Sequence, residues 1–174
     1  AGAISAALLA ANLPIDALEY ELSRVDFRDF LKTKTSRLIF NDDPGDDLEN
    51  PVLMIANLAL VGELGQYSTA PFAQWLEEVL YKAGIPTFGD VWAGNAPADR
   101  QLKVVVSDLT RGEMAVLPDD LEPLPQESKP YRIALSPKQR AYRVSDAVRL
   151  SMSIPFFFEP GTLERPTGRS TVVD

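Results

Sequence analysis

The first residues of this sequence constrain its fold more than any other feature. Residues 2–12 are apolar except for Ser5 and Asn12, and they predict a helix that is apolar on nearly every face. A helix that is hydrophobic all round is normally buried on all sides. The chain must therefore belong to a layered domain that can cover such a helix.

Strands are sparse in the sequence. Residues 102–107 (LKVVVS) form a β-branched run, and residues 113–117 are its expected hairpin partner across a turn at 110–112. A last strand is expected to begin near Ser170. These strands cannot cover the apolar helices alone, so we predict one flank of an α/β layered domain whose central strands lie partly outside these 174 residues.

Further helices are predicted from apolar spacing and from residues that begin or end helices. They are expected from near Asp16, over 52–61, over 71–83, and from a cap at Ser145 and Asp146 to about Ser153. Gly84 is the expected end of the third. The apolar face of that helix contains Phe72, Trp75, Leu76, Val79 and Leu80.

The sequence contains no histidine and no cysteine. Disulfides and thiolate chemistry are therefore excluded within it. The lack of imidazole also removes the usual general base and any Ser-His-Asp triad formed within these residues. An acid–base catalyst supplied by this sequence must be Asp, Glu, Lys or Tyr.

The charge balance restricts the partners. Lys and Arg number 17 and Asp and Glu number 25, which gives a net charge of −8. This argues against a nucleic-acid partner and against docking on an anionic membrane by charge alone. Contact with lipid would have to come from apolar surface.

The acidic stretch at 41–51 could suggest a calcium loop, because it contains Asp42, Asp43, Asp46 and Asp47. It lacks the glycine at the sixth position and the glutamate at the twelfth that an EF-hand loop requires. We therefore expect a solvated loop. No metal and no cofactor are expected.

Two sets of residues admit more than one interpretation. Phe156, Phe157 and Phe158 could line an acyl-chain pocket or a lipid-facing surface, but a buried core segment is favoured, and the same holds for Met152 and Ile154.

Several charged side chains are expected to be structural or solvated. Asp108 ends the predicted strand, and it is expected to cap the hairpin turn rather than to catalyse a reaction. Lys103, Arg149 and Arg169 are expected to be surface charges, because no cluster of cations surrounds them.

Five stretches, in order along the chain, resemble the patatin-like phospholipase family. They are Ala1-Gly2-Ala3-Ile4 with its Ala/Leu-rich helix, 75–91 (WLEEVLYKAGIPTFGDV), 102–118 (LKVVVSDLTRGEMAVLP), 144–158 (VSDAVRLSMSIPFFF) and 171–174 (TVVD). The first is similar to the residues that follow the nucleophile in the family's Gly-x-Ser-x-Gly motif. The last resembles the strand that delivers the aspartate of its Asp-Gly-Gly/Ala motif.

The resemblance implies that residues 1–174 are part of a single three-layer α/β/α domain of patatin type. It implies a Ser–Asp dyad in which the serine lies just before Ala1 and Asp174 is the base. Gly2 would be the closing glycine of the nucleophile motif, and the backbone N–H of Ala1 could help to bind an oxyanion. The alternatives are a terminal aspartate that caps a turn and a helix start whose small residues serve packing.

The function expected from this resemblance is that of a serine hydrolase of phospholipid or lysophospholipid esters. It would contact membrane surfaces transiently, in the cytoplasm or as a peripheral membrane protein. The sequence lacks the serine and the Gly-rich oxyanion loop, so residues 1–174 alone are expected to be inactive. The alternative is a non-catalytic lipid-binding or regulatory module on the same scaffold.

Overall fold

The computed structural model describes residues 2–31, 67–93, 101–122 and 135–174. The predicted helix at 52–61 and the acidic loop at 41–51 lie outside the described residues.

Six α-helices, two short 3₁₀ helices and four strands are formed by the described residues. The helices are α1 (Gly2–Ala10), α2 (Ile15–Ser23), α3 (Ala70–Lys82), α4 (Phe88–Ala93), α5 (Pro137–Ala141) and α6 (Val144–Leu150), with 3₁₀ helices at Phe27–Leu31 and Asp119–Leu121. The strands are β1 (Val104–Asp108), β2 (Glu113–Leu117), β3 (Gly161–Arg165) and β4 (Gly168–Val173).

The four strands form one antiparallel sheet in the order β2-β1-β4-β3. The predicted β1–β2 hairpin is confirmed, with Val106 opposite Ala115. Side chains alternate between the two faces, so Val104 and Val106 are buried while Val105 is exposed. Helices packed on this sheet make an α/β fold, as the sequence predicted.

Helix α6 lies at the centre of the packing, because it contacts β1, β3, α1 and α3. Its residues Val144, Ala147, Val148 and Leu150 are fully buried. The predicted apolar face of α3 is confirmed, since Phe72, Leu76, Val79 and Leu80 are at most 1% exposed and Trp75 packs against the core. Gly84 follows the end of α3 with a φ of 75°, in the left-handed conformation that often ends a helix.

The prediction that the first helix is buried on all sides is wrong. Ala7 and Leu8 are buried, but the side chain of Leu9 is 75% exposed. Helix α1 packs against the core along one side, and Leu9 points away from that side. The high apolar content of α1 therefore did not indicate how many faces of the helix are covered by other elements.

The predicted cap of α6 is also wrong. The helix begins at Val144, with Arg143 at the N-cap position and no capping hydrogen bond from its side chain. Ser145 lies within the first turn, where its hydroxyl donates to the Glu77 carboxylate of α3 at 2.6 Å. Ser145 thus links two helices instead of starting one.

Candidate active site

Asp174 directly follows β4 and is held through its backbone. Its N–H donates to the carbonyl of Ser153 at 3.1 Å, and its own carbonyl accepts a hydrogen bond from the Ser107 hydroxyl at 3.2 Å. Ser153 is buried, and its hydroxyl donates to the carbonyl of Arg149 in α6 at 2.9 Å. The backbone of the predicted base is therefore fixed between β1 and the segment that leaves α6.

The side chain of Asp174 is exposed at the end of the strand. Ser170 and Val172 are buried on the helix-covered face of the sheet. Val173 is buried as well, and Asp174 follows it just beyond the end of β4. The carboxylate thus lies at the point where the strand leaves the buried part of the sheet for solvent.

The first helix of the chain and its last residue both connect to α6 or to the segment that follows it. Helix α1 packs against α6, and Asp174 is bonded to Ser153, three residues after the last residue of α6. Ala1 lies outside the described residues. Gly2 is exposed, and a Cβ added to it would meet no atom within 4 Å. Packing against the described residues therefore does not explain a glycine at this position.

The residues after Ser153 form a tight turn whose aromatic side chains face both solvent and core. The N–H groups of Phe157 and Phe158 both donate to the carbonyl of Ile154, at 3.1 and 2.9 Å. Phe156 lies within this turn with a φ of 68°, a conformation that is rare for a bulky residue. Its side chain is 68% exposed.

The favoured core interpretation is therefore wrong for three of these five residues and is confirmed for two. Phe156, Phe157 and Ile154 are 68%, 40% and 50% exposed, because the turn carries them off the core. Phe158 is buried, and Met152 is half-buried against the core. Their proposed contact with an acyl chain stays a prediction.

Tyr67, which is far from this turn in the sequence, packs against it. The Tyr67 ring lies 4.8 Å from that of Phe157, and the backbone N–H of Tyr67 donates to the Phe157 carbonyl at 3.0 Å. Tyr67 thereby supports the exposed turn from one side, a contact between residues far apart in the sequence that no local pattern indicated.

Asp108 caps the β1–β2 turn as predicted, because its Oδ1 accepts the backbone N–H of Arg111 at 3.0 Å. No local pattern in the sequence indicated a second partner for Asp108. Arg165 donates to Oδ2 of Asp108 at 2.6 Å, and both side chains are buried. Burial acts to raise the pKa of Asp108, but the nearby Ser170 hydroxyl, the Arg111 N–H and the Arg165 charge outweigh it. The pKa therefore lies below its ordinary value.

The three cations expected on the surface each lie near a carboxylate. Lys103 pairs with Asp119, and Arg169 contacts Glu164 at 2.7 Å. Arg149 lies 3.8 Å from an oxygen of the neighbouring Asp146. Among the described residues there is no group of three or more acidic side chains that could hold a metal ion.

Comparison with known proteins identifies the family. A family model described as patatin-like phospholipase matches residues 1–174, the whole chain. The chain belongs to the patatin-like phospholipase family. It is also 34% identical, over all 174 residues, to the uncharacterised protein YqhO of Bacillus subtilis (strain 168). The chain spans about half (50%) of the length of that relative.

Membership in the family confirms the resemblance seen in the sequence. No solved structure gives a significant match to the chain. In the part of the chain that the structure describes, no helix is long and apolar enough to cross a bilayer.

Proposed function

We propose that the full-length protein is a serine lipid acyl hydrolase in which Asp174 is the general base. The nucleophile would be a serine immediately before Ala1, and residues 1–174 would be part of one acyl hydrolase domain. The main support is the hydrogen bond from the Asp174 N–H to Ser153, because it ties Asp174 to the segment leaving α6 while α1 packs on the same helix. Family membership supports the class of substrate.

Each half of the proposed reaction needs two proton transfers through one carboxylate. The serine hydroxyl attacks the ester carbonyl and gives its proton to Asp174. The tetrahedral intermediate then collapses, and the leaving alcohol, a lysophospholipid or a glycerol derivative, takes that proton. Water repeats the sequence on the acyl-enzyme and releases the fatty acid. A dyad of this kind needs no imidazole, in agreement with a sequence that contains none.

We further propose that the exposed aromatic turn contacts the lipid. Ile154, Phe156 and Phe157 begin directly after Ser153, the residue bonded to Asp174, so a lipid held there would lie beside the carboxylate. The net charge of −8 disfavours attraction to anionic headgroups. Apolar insertion into a neutral lipid surface is the contact that these side chains support.

The catalytic proposal is tested by hydrolysis of phosphatidylcholine and lysophosphatidylcholine by the full-length protein. Asp174→Asn is expected to lower kcat by about 10²–10⁴-fold, the usual contribution of a general base. The matched control is Asp16→Asn, which changes an exposed carboxylate in the first turn of α2 and should leave kcat unchanged. Full activity in Asp174→Asn would exclude the dyad.

The lipid contact is tested by co-sedimentation of the full-length protein with phosphatidylcholine vesicles. Phe156→Ser and Phe157→Ser are each expected to weaken partitioning by about tenfold, because each removes the transfer of an aromatic side chain into lipid. Tyr81→Ser is the control, since Tyr81 is 73% exposed on α3. Equal partitioning of all three variants and the wild type would exclude this turn as the contact.

A further inference from the structure

The two hairpins of the sheet are joined by a short ladder. Strand β3 pairs with β4 from Gly161↔Val172 to Arg165↔Gly168, whereas β1 pairs with β4 at Ser107↔Val173 and Asp108↔Val172. This short ladder lies at the end of β4 that leads into Asp174. Two hydrogen bonds of Thr171 continue the contact, because its carbonyl accepts from the Leu109 N–H at 2.9 Å and its N–H donates to the Thr110 hydroxyl at 2.8 Å. The orientation of β4 therefore depends on a small number of interactions at that end.

A buried ion pair reinforces the junction. The Arg165 guanidinium of β3 donates to Asp108 of β1 at 2.6 Å, and the two side chains are 7% and 0% exposed. The same guanidinium contacts Glu113 of β2 at 2.9 Å. One arginine on the β3 edge strand thus reaches across β4 to both strands of the other hairpin.

Arg111 adds a further connection, which joins the turns of the two hairpins. Its backbone N–H donates to Asp108 at 3.0 Å, and its guanidinium donates to the Thr167 hydroxyl in the β3–β4 turn. We name Asp108, Arg111, Glu113 and Arg165 the hairpin clamp. Its members come from β1, β2, β3 and the β1–β2 turn, and it fixes the hairpins relative to each other.

We propose that the Asp108–Arg165 pair is a positioning pair for Asp174, an inference that rests on the proposed function. Asp108 lies opposite Val172, two residues before Asp174 on the same strand. A pair that sets the lateral position of β4 at Val172 also sets the direction in which Asp174 leaves the strand. Small displacements of a catalytic group cost up to about 100-fold in rate, so such support matters to a general base.

Fold stability alone does not account for a buried pair at this position. A buried ion pair is often no more stabilising than apolar residues of similar volume, because desolvation offsets the attraction between the charges. What the charged pair supplies is directional contact, since a guanidinium binds two acceptors in a fixed planar geometry. Here those acceptors belong to β1 and β2, on the far side of β4.

The test uses the full-length protein and a soluble ester, 4-nitrophenyl butyrate. Asp108→Asn combined with Arg165→Met removes both charges and leaves no unpaired buried ion, while Asn keeps an acceptor for the Arg111 N–H. We expect kcat to fall about 10- to 100-fold with KM changed less than about threefold. The control, Glu164→Gln with Arg169→Met, removes an exposed pair from the same hairpin and should change kcat less than about twofold.

Repeating both double substitutions in an Asp174→Asn background separates positioning from a general structural effect. If the Asp108–Arg165 pair acts through Asp174, removal of the pair has no further effect on the residual rate of the Asp174→Asn variant. A general loss of structure would instead multiply the two losses, and that result would overturn the inference. Near-UV circular dichroism confirms that each variant is folded.

The Arg165→Lys variant keeps the inference testable if the double variant does not fold. A single ammonium cannot reproduce the planar contact with Asp108 and Glu113, so we expect a loss of kcat of roughly threefold or more that disappears in the Asp174→Asn background. An unchanged kcat would overturn the inference. Failure of the proposed function is recognised separately, because Asp174→Asn would then retain the wild-type rate, and both proposals would fall together.

Discussion

Two neighbouring regions of this protein both carry large apolar side chains but place them oppositely. The layer between α6 and the sheet buries every apolar side chain of the helix, whereas the turn that follows exposes Ile154, Phe156 and Phe157. Helix α6 is covered by the sheet on one side and by α1 and α3 on its other sides. At Phe156 the left-handed backbone turns the ring outward. The first region stabilises the fold, and the second is available to a ligand.

The largest effect expected in the buried layer is that of Asp108→Asn. The substitution removes the buried partner of Arg165 and leaves only the half-exposed Glu113 to pair with it, so we expect a loss of about 3 kcal/mol in the free energy of unfolding at pH 7, the lower end of the range for a broken buried pair. Urea unfolding followed by tryptophan fluorescence measures it. The control Glu164→Gln removes a partner of an exposed pair and should cost less than about 1 kcal/mol.

The same substitution has a defined pH dependence. Because the pKa of Asp108 is lowered in the folded protein, the stability from its ionised form is present above the unfolded-state pKa of about 3.9. That stability is lost as the pH falls through the folded-state pKa. The difference between the wild type and Asp108→Asn should therefore shrink below about pH 4, and a difference that grows in acid would contradict this assignment.

A smaller effect is expected where β3 approaches α6. A Cβ added to Gly161 would lie 1.9 Å from a methyl carbon of Leu150, which is itself fully buried. Gly161→Ala should therefore cost about 1–3 kcal/mol through overpacking. Thr162→Ala, at an exposed position of the same strand, should stay within about 0.5 kcal/mol.

Coupling between the two residues tests whether this contact is the cause. Leu150→Ala removes the methyl groups that the new Cβ would meet. The combined variant should therefore lose less stability than the sum of the two single losses. Additive losses would show that the strain at Gly161 arises elsewhere.

The smallest effect is expected in the exposed turn, and it has the opposite sign. Phe156 adopts a φ of 68°, which glycine tolerates without steric cost. Phe156→Gly should leave the melting temperature unchanged or raise the free energy of unfolding by up to about 1 kcal/mol, while it weakens binding to phosphatidylcholine vesicles. If Phe156→Gly lost as much stability as Gly161→Ala, the contrast between the exposed turn and the buried layer would be refuted.

Local patterns predicted the helices and strands in which apolar residues recur at regular spacing along the sequence. The β-branched run in β1, with its hairpin partner, and the apolar face of α3 could both be read from spacing alone. Strand β3 was missed because its inward positions are Gly161, Leu163 and Arg165, which do not form an apolar alternation. The capping box of Ser136 and Gln139 at α5 follows the Ser-x-x-Gln pattern, so the start of this helix is readable from the sequence.

The candidate site was only partly accessible from the sequence. Asp174 was identified through the family resemblance, whereas its backbone contact with Ser153 and the pairing of Asp108 with Arg165 join residues far apart in the chain. Such contacts depend on strand order, which no local pattern specifies. Exposure of Phe156 was mispredicted because one left-handed residue reverses the direction of a side chain.

The central claim is that a serine just before Ala1 is activated by Asp174, and labelling with a fluorophosphonate tests it most directly. Peptide mass spectrometry of the labelled full-length protein should locate the probe on the residue that precedes Ala1. The rate of labelling should fall by about 10²-fold or more in Asp174→Asn. A label on any other residue, or an unchanged rate in Asp174→Asn, would contradict the account.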